Sequence, residues 1–333
     1  MKYNHSEINK LIRELCDIQT FFSVNYGVED IFSNSKFYEI IIANQLLHTP
    51  IPGHSGSRDA RDSSGSEYEY KHFKETSSNH TWTFNDFSDN LINHMHEYTF
   101  IFAHIDDEQY DYPGIMDWYY KVPGIVIENY LSEATQRITN TRKMINVSPR
   151  QISRLGMYKM LADIKVASKY DGQFQKQLLR ISEISSKLEK ETGVTKILTS
   201  NKLYELLVAL KLNHKVNPEN GGREGSHDAE DAFGNTYEYK VYKTRNWNFQ
   251  DISDAVLDKY LQDKKIILAV VDKKNLEVLE IYSISPDDVV PVLRGKIQKK
   301  MERATKGGPE VRRLQTTLSY NEIRRMSSFE QLF

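Results

Sequence analysis

The sequence contains a single cysteine, Cys16, in 333 residues, and it has no long run of apolar residues. One cysteine excludes an internal disulfide framework and any zinc site built from cysteines. No apolar run approaches the length of a membrane span, and the N-terminal MKYNHSEINK lacks the features of a signal peptide. We therefore expect a cytoplasmic protein that does not contact membranes.

A strong excess of charge of one sign is also absent, because the formal net charge is −2. This charge is not typical of a protein that coats nucleic acid nonspecifically, so a DNA-binding surface would have to be locally positive. Hydrophobic residues make up 39% of the chain and charged residues 27%, as in soluble globular proteins. The length allows two ordinary domains, each with its own core.

A fifteen-residue pattern occurs twice. It reads SRDARDSSGSEYEYK at residues 57–71 and SHDAEDAFGNTYEYK at residues 226–240, at a constant offset of 169 positions. The first copy carries the chemically active side chains Asp59, Asp62, Glu69 and Lys71, which recur as Asp228, Asp231, Glu238 and Lys240. One Asp…Glu-x-Lys string is a weak signal, but two in register suggest two related sites in one chain.

The repeat extends well beyond this pattern. Upstream, SNSKFYEIIIANQ matches TSNKLYELLVAL, so that Lys36, Tyr38, Glu39 and Ala43 correspond to Lys202, Tyr204, Glu205 and Ala209. Downstream, residues 81–91, 100–106 and 147–152 match residues 246–256, 266–272 and 318–323. A period this long indicates a domain duplication rather than a solenoid. We predict one domain at residues 1–160 and a second at 161–333, joined through a polar helical stretch at 157–177.

Both halves have the same predicted secondary structure. Apolar spacing in NKLIRELCDIQTFF and FYEIIIANQLL predicts amphipathic helices, and a Gly-, Ser- and Asp-rich stretch then predicts turns. EYEYKHF and TYEYKVY alternate as strands do, and YTFIFAHI and KIILAVV read as buried strands. Each half closes with a basic, helix-like segment. The fold class predicted is mixed α/β or α+β, duplicated.

The repeated motif has the parts that phosphodiester hydrolysis needs. Residues i and i+2 of a strand share a face, so Glu69 and Lys71 would stand side by side while Tyr68 and Tyr70 face the opposite way. Asp59 or Asp62 would arrive through the turn and add a second carboxylate. Hard oxygen ligands of this kind suit Mg²⁺ better than zinc. A neighbouring lysine can orient or deprotonate an attacking water and stabilise an anionic transition state.

Two simpler explanations of the motif exist. An isolated Glu-x-Lys on a strand is usually a solvated charge pair. Duplication could also keep the pattern in both halves through shared ancestry alone, without any function.

The string GREGSHDAEDAFGNTYEYK, residues 222–240, resembles the active-site segment of the PvuII family of type II restriction endonucleases, in the PD-(D/E)XK nuclease superfamily. The shared features are a helix ahead of a Gly-Arg-Glu-Gly turn, then Asp-Ala-x-Asp, a glycine and Tyr-Glu-x-Lys. The resemblance covers most of both halves. It implies two tandem restriction-endonuclease-like domains related by pseudo-two-fold symmetry.

The resemblance also implies an activity and its residues. The expected reaction is Mg²⁺-dependent cleavage of both strands of double-stranded DNA within a short sequence. The family's catalytic aspartate matches the first Asp of Asp-Ala-x-Asp, which favours Asp59 and Asp228 over Asp62 and Asp231. The implied catalytic residues are Asp59, Glu69, Lys71, Asp228, Glu238 and Lys240. The implied metal ligands are Asp59, Glu69, Tyr70, Asp228, Glu238 and Tyr239.

The sequence departs from the family pattern in several respects. The second half keeps the turn glutamate as Glu224, whereas the first half reads Gly53-His54-Ser55-Gly56 and lacks it. The family's histidine-rich base-reading loop is replaced by SSNHTWTFND and TRNWNFQD. We therefore expect a different recognition sequence from that of other family members.

The resemblance further implies the partners of the protein. The family works as a homodimer of subunits about half this length, so the fused chain is expected to act as a monomer. A companion DNA methyltransferase is expected in the same cell, without a stable complex.

Several other residues have both a functional and a structural interpretation. Trp82 with Phe84, and Trp247 with Phe249, could contact DNA, but a core anchor at the start of a helix is the simpler explanation. Lys74 and Lys243 follow the catalytic strands and could meet phosphate or solvent equally well. The late basic residues, which are candidates for DNA contacts or for a solvated face, are Arg137, Arg142, Lys143, Arg150, Arg154, Arg294, Lys296, Lys299, Lys300, Arg303, Lys306, Arg312 and Arg313.

Three alternatives to a restriction endonuclease remain open at this point. The chain could be a DNA-binding module with one or both sites inactive, or a repair nuclease of the same superfamily. A metal-binding protein unrelated to nucleic acid is the third.

Overall fold

The computed structural model describes residues 3–32, 36–51, 58–85, 89–110, 114–137, 144–163, 172–195, 197–199, 201–218, 227–306 and 314–333. Within them the helices are α1 (His5–Tyr26), α2 (Lys36–Gln45), α3 (Asp89–Ile92), α4 (Gly124–Gln136), α5 (Pro149–Arg154), α6 (Gly172–Thr192), α7 (Lys202–Leu212), α8 (Asp254–Tyr260), α9 (Pro286–Thr305) and α10 (Tyr320–Ile323). Short 3₁₀ helices lie at Met95–Glu97 and Ile197–Thr199.

The strands fall into two sets of similar order along the chain. Those of the first set are β1 (Thr49–Pro50), β2 (Ala60–Arg61), β3 (Glu67–Lys74), β4 (Trp82–Asn85), β5 (Thr99–Asp106), β6 (Ile115–Pro123), β7 (Met144–Val147) and β8 (Met160–Leu161). Those of the second set are β9 (Lys215–Val216), β10 (Ala229–Glu230), β11 (Thr236–Tyr242), β12 (Asn246–Phe249), β13 (Lys265–Asp272), β14 (Glu277–Ile284), β15 (Thr316–Ser319) and β16 (Glu330–Gln331).

The chain divides into two compact units. The first unit is Ile18–Glu183, and the second unit is Met1–Asp17 together with Ile184–Phe333. The division falls inside α1 and inside α6 rather than between residues 160 and 161. The predicted extents of the two copies, 1–160 and 161–333, stay a prediction.

The first unit contains a six-stranded mixed sheet in the order β1-β2-β3-β5-β6-β8. β3 runs parallel to β5, with Glu69 opposite Phe100 and Lys71 opposite Phe102. β2 and β6 lie antiparallel to their neighbours β3 and β5. A separate ribbon pairs β4 with β7.

The second unit has the same arrangement. Its sheet has the order β9-β10-β11-β13-β14-β16, and β11 runs parallel to β13 with Glu238 opposite Ile266 and Lys240 opposite Leu268. β12 pairs with β15 in a separate ribbon. The two sheets and the helices confirm the predicted mixed α/β class.

The central strands β5 and β13 are almost wholly buried, because each has neighbours on both edges and apolar side chains on both faces. Trp82 and Trp247 pack against them and are fully buried. Each indole N–H donates to a carbonyl of the central strand, Trp82 to Ala103 at 2.8 Å and Trp247 to Ala269 at 3.0 Å. The interpretation of these residues as core anchors is confirmed.

Their placement at the start of a helix was wrong, since Trp82, Phe84, Trp247 and Phe249 lie in strands β4 and β12. The i, i+2 spacing of Trp-x-Phe explains the strand, because it turns both rings toward the core.

β6 begins inside the acidic stretch 106–117, where Asp117 is accommodated by a 2.6 Å hydrogen bond to His104 Nδ1. One further expectation was wrong in part. The described part of the stretch 157–177 is not helical throughout, because Met160–Leu161 pairs with β6 as a strand. Among the described residues, no helix is long and apolar enough to cross a membrane.

Candidate active site

A short hairpin places the first aspartate of each motif. The Asp59 N–H donates to the Tyr68 carbonyl at 2.8 Å, directly before β2 pairs with β3. The turn between these strands is held by Asp62, whose carboxylate accepts the N–H groups of Ser64 and Ser66. Gly65 has φ +86°, a conformation that favours glycine. Asp59 is thereby fixed beside the strand that carries Glu69 and Lys71.

The Asp59 carboxylate completes this pairing with its side chain. Its Oδ2 accepts the Tyr70 N–H at 2.7 Å, and in the second unit Asp228 Oδ2 accepts the Tyr239 N–H at 2.9 Å. Because Tyr70 lies between Glu69 and Lys71, this bond sets the aspartate next to both. The N–H and C=O of one strand residue point to the same side, so the Tyr70 carbonyl also faces the aspartate.

Glu69 and Lys71 form an ion pair on one face of β3, as Glu238 and Lys240 do on β11. All four side chains are at least three-quarters buried. The ammonium of Lys71 also lies 5.7 Å from the Phe84 ring, and that of Lys240 lies 5.6 Å from the Phe249 ring. These aromatic rings lie beside the lysine ammonium groups, and this contact was not predicted from the sequence.

The tyrosines of each motif face the opposite side of the strand. The Tyr68 hydroxyl donates to Asp62 Oδ2 at 2.8 Å, and the Tyr70 hydroxyl bonds His48 Nδ1 at 2.7 Å. Tyr237 with Asp231, and Tyr239 with His214, repeat these contacts in the second unit. The side chains of Tyr70 and Tyr239 therefore point away from the carboxylates, and only their main chains could contact an ion held there.

Asp62 has a structural task. Hydrogen bonds from the Ser64 hydroxyl and from Tyr68 hold the pKa of Asp62 well below its usual range. Both carboxylate oxygens are engaged by the turn and by the tyrosine face of the strand. The geometry thus separates Asp62 and Asp231 from the cluster that contains Asp59 or Asp228.

The helix ahead of each hairpin adds two charged groups that we did not predict as site residues. In the first unit, Lys36 at the start of α2 pairs with Glu39, and its Nζ lies 3.5 Å from Asp59 Oδ1. In the second unit, Lys202 Nζ lies 2.7 Å from Glu205 Oε2 and 3.6 Å from Asp228 Oδ1. The signal was present, since this Lys-x-x-Glu is part of the repeat, but only the fold brings it to the aspartate.

Each cluster contains more carboxylates than ammonium groups. Burial raises the pKa of Glu69 to about 7, against the opposing effect of Lys71 and with a further rise from Asp59. Burial and Asp59 raise the pKa of Glu39 to about 8. The pKa values of Glu205 and Glu238 are also raised, chiefly by burial, to about 7. Three carboxylates against two ammonium groups leave one negative charge uncompensated when all are ionised.

The lysine of each motif, Lys71 or Lys240, is held in its charged form. Burial alone would lower the pKa of Lys71, but Glu69 and Asp59 outweigh it, so that the pKa lies above its ordinary value. Lys240 responds in the same way to Glu238, Tyr260 and Asp228.

The donor set fits a hard divalent cation. Asp59 and Glu69 contribute carboxylate oxygens in a buried position with surplus negative charge, and oxygen ligands are those that Mg²⁺ prefers. In the described parts of the chain, no group of three or more His, Cys, Asp or Glu side chains encloses an ion position. An ion here would therefore take further ligands from main chain, water or phosphate, as Mg²⁺ commonly does.

The remaining candidates lie outside the clusters. Lys74 Nζ is 3.9 Å from Asp107 Oδ2, and Lys243 is exposed. Among the basic residues, Arg294 lies near Asp254 and Asp258, while Lys296 pairs with Glu322. Those on the exposed surface are Arg137, Arg150, Arg154, Lys299, Arg303 and Lys306. Predicted positions outside the described residues are Gly53, His54, Ser55, Gly56, Arg142, Lys143, Glu224, Arg312 and Arg313.

Comparison with known proteins identifies the first part of the chain. The family model described as restriction endonuclease PvuII matches residues 3–153, a span that contains Asp59, Glu69 and Lys71. No curated protein matches the chain. Members of this family are hydrolases that cleave double-stranded DNA at specific sequences. Residues 3–153 thus match the PvuII restriction endonuclease family, and this match supports a PvuII-like type II restriction endonuclease.

Proposed function

We propose that the protein cuts both strands of double-stranded DNA in a Mg²⁺-dependent reaction, with one active site in each half. One observation carries this proposal. The same five charged side chains make the same contacts in both units, although the family match covers only residues 3–153. A solvated Glu-x-Lys pair would not need burial or an aspartate fixed to the intervening amide.

The proposed ion ligands are Asp59, Glu69 and the main chain of Tyr70 in the first unit. Asp228, Glu238 and the main chain of Tyr239 correspond to them in the second. When bound, Mg²⁺ supplies Lewis acidity at the scissile phosphate. Asp59 is oriented for this task by the Tyr70 amide, and Glu69 by Lys71.

Lys71 and Lys240 act as fixed cations beside the attacked phosphate. Their raised pKa values support a role in orienting the attacking water and stabilising the anionic transition state rather than in removing a proton. The apolar walls of Phe84 and Phe249 keep the charge poorly hydrated and thus more effective.

We further propose that the monomer is the functional form, each half acting as one subunit of a dimeric family member does. Linking both sites in one chain makes their pairing intramolecular. A separate methyltransferase would protect the host DNA at the same sequence, and both proteins would work in the cytoplasm.

A plasmid digest tests the proposal. Purified protein should convert plasmid DNA to fixed fragments with Mg²⁺ and leave it intact with EDTA. The double variant Asp59→Asn/Asp228→Asn should not cut, whereas Asp258→Asn, which changes an exposed aspartate of α8, should cut normally. Mapping the fragment ends gives the recognition sequence. Specific DNA binding without any cutting would favour a recognition module, and cutting only at lesions would favour a repair nuclease.

A further inference from the structure

The ion pair at the start of α2, and its equivalent at the start of α7, lies against the proposed ion site without being part of the repeated Asp…Glu-x-Lys motif. Lys36 Nζ lies between the carboxylates of Glu39 and Asp59, and Lys202 Nζ between those of Glu205 and Asp228. The lysine side chains are only 13% and 7% exposed. Both units build this arrangement independently of the sequence differences that surround it.

Each aspartate is held at both oxygens. Asp59 Oδ2 accepts the Tyr70 N–H, while Oδ1 faces the Lys36 ammonium at 3.5 Å. The same division applies to Asp228, with Tyr239 at one oxygen and Lys202 at 3.6 Å from the other. In each unit the ammonium thus faces Oδ1 of the proposed metal ligand, and the main-chain N–H binds the other oxygen, Oδ2.

Two buried carboxylates facing one position are the surroundings that a divalent cation takes in proteins. Many phosphodiester-cleaving enzymes place two such ions about 4 Å apart, bridged by an aspartate. Here Asp59 is shared between the Glu69 side and the Glu39 side of the cluster. A lysine ammonium occupies the Glu39 side.

Stability alone does not account for this lysine. Removing two or three charges from water costs several kcal/mol per ion, which the attraction between them often fails to recover. A buried Lys-x-x-Glu pair is therefore weak support for the fold, and an apolar pair on α2 would serve as well. Its presence at the same place in both units, on the metal-ligand aspartate, points to a task at the site.

We propose that Lys36 and Lys202 are built-in substitutes for a second divalent cation, so that each half binds one ion instead of two. The ammonium supplies one positive charge between Glu39 and Asp59 and fixes the bridging aspartate for the ion on the Glu69 side. Lys36 and Lys202 are positioning residues, since they act on the reaction through Asp59 and Asp228. This inference rests on the function proposed above, because it presumes an ion at Glu69 and at Glu238.

The test counts ions rather than cleavage. Mn²⁺ is titrated into the full-length, metal-free protein without DNA and followed by calorimetry and by the loss of the free-ion paramagnetic resonance signal. The wild-type chain should bind two ions. Lys36→Ala removes the charge and vacates the space, so this variant should bind three ions, and Lys36→Ala/Lys202→Ala should bind four.

Two matched variants distinguish substitution for a second cation from a general effect of removing positive charge. Lys36→Arg keeps a cation between the carboxylates and should stay at two ions. Lys211→Gln removes a charge from the exposed end of α7, away from the carboxylates, and should also stay at two. Circular dichroism and melting curves establish that each variant is folded. Should Lys36→Ala be unfolded, the Lys202→Ala variant carries the same prediction for the second unit.

The outcomes are distinguishable. Two ions in the wild type and two in every folded lysine-to-alanine variant would overturn this inference and leave the proposed function standing. No ion in the wild-type protein would overturn the Mg²⁺ site itself and the inference with it. A rise by one ion per lysine replaced, absent in Lys36→Arg and Lys211→Gln, supports it.

Discussion

The two units share their charged clusters but differ in what surrounds them. Arg58, directly before Asp59, pairs with Glu67 and Glu97, whereas His227, directly before Asp228, lies 2.5 Å from Asp263. The helix that follows β6 or β14 differs more, because α4 has no basic residue in its last turn, whereas α9 is longer and has Arg303 there. Carboxylates, lysines and the amide that orients the aspartate are thus kept together, and the surfaces around them have diverged.

The contrast agrees with the proposed function. Under that proposal, both sites act on a phosphodiester and need the same carboxylate oxygens and ammonium groups. The surrounding surfaces would contact different bases or only solvent, so they need not be alike. Divergence there is consistent with an asymmetric or interrupted recognition sequence.

The largest expected effect separates the two sites by strand. Asp59→Asn and Asp228→Asn should each slow cleavage of one defined strand by roughly 10²–10³-fold, because the metal contributes several kcal/mol of transition-state stabilisation. Denaturing gels with one strand labelled at a time measure this. Both variants should accumulate nicked plasmid, and the nick should lie in one strand for Asp59→Asn and in the complementary strand for Asp228→Asn. Undiminished double-strand cutting by either variant would contradict the proposal that each site cuts one strand.

Replacing the lysines proposed to be catalytic tests whether the two sites depend on them equally. Lys71→Met and Lys240→Met should each slow cutting of the corresponding strand by about 10²-fold, as loss of one stabilising donor does. The measurement is single-turnover cleavage of a labelled duplex. If the two variants lose cleavage rate to very different extents, the two sites do not depend equally on their lysines despite their similar geometry.

A third change makes the first unit resemble the second. His104 lies between Glu75 Oε2 at 2.8 Å and Asp117 Oδ1 at 2.6 Å, while the corresponding residue of β13 is Val270. His104→Val leaves both carboxylates without this partner and should cost about 2 kcal/mol, or roughly 4–8 °C in Tm. Calorimetry measures the loss, and restoration by the triple change His104→Val/Glu75→Gln/Asp117→Asn is the control. An unchanged Tm in His104→Val would refute the role of the cluster.

The smallest expected effect concerns acid stability. Burial, with Lys74 and Lys71, lowers the pKa of His72 to about 4, whereas β11 has Val241 at this place. The folded protein therefore keeps His72 neutral while the unfolded chain binds a proton below pH about 6.5, so stability falls as pH drops from 6.5 toward 4. His72→Val should reduce this acid-induced fall in Tm by roughly 2–4 °C between pH 7 and pH 5.

The control for this prediction is His80→Gln, which changes an exposed histidine of the same unit. That variant should follow the wild-type pH curve. Parallel curves of Tm against pH for His72→Val and wild type would show that the protonation of His72 does not differ between the folded and unfolded states.

Local pattern was enough for the core of the site. Period-2 spacing put Glu69 and Lys71 on one face of a strand and Tyr68 and Tyr70 on the other, and both tyrosines are buried as expected. The preference for Asp59 over Asp62 as the catalytic aspartate came from family resemblance and stays a prediction, but the two aspartates differ in their contacts. Asp62 is engaged by its own turn, whereas Asp59 is bound to the amide between Glu69 and Lys71.

Other features could not be read locally. β6 begins within an acidic segment, and its strand conformation depends on pairing with β5 and on the bond from His104 to Asp117. Lys36 and Glu39 were aligned with Lys202 and Glu205 in the repeat, yet nothing in the helix pattern shows that they reach Asp59, which lies more than twenty residues later.

By itself, the sequence determined that two equivalent sets of carboxylates and lysines exist, and that each Glu-x-Lys pair shares one strand face, because these follow from repetition and from backbone periodicity. Only the tertiary structure decided which aspartate joins the pair and that α2 and α7 each bring a lysine and a glutamate to it. Such contacts join segments far apart in the chain, and their formation depends on how a buried sheet packs against its helices.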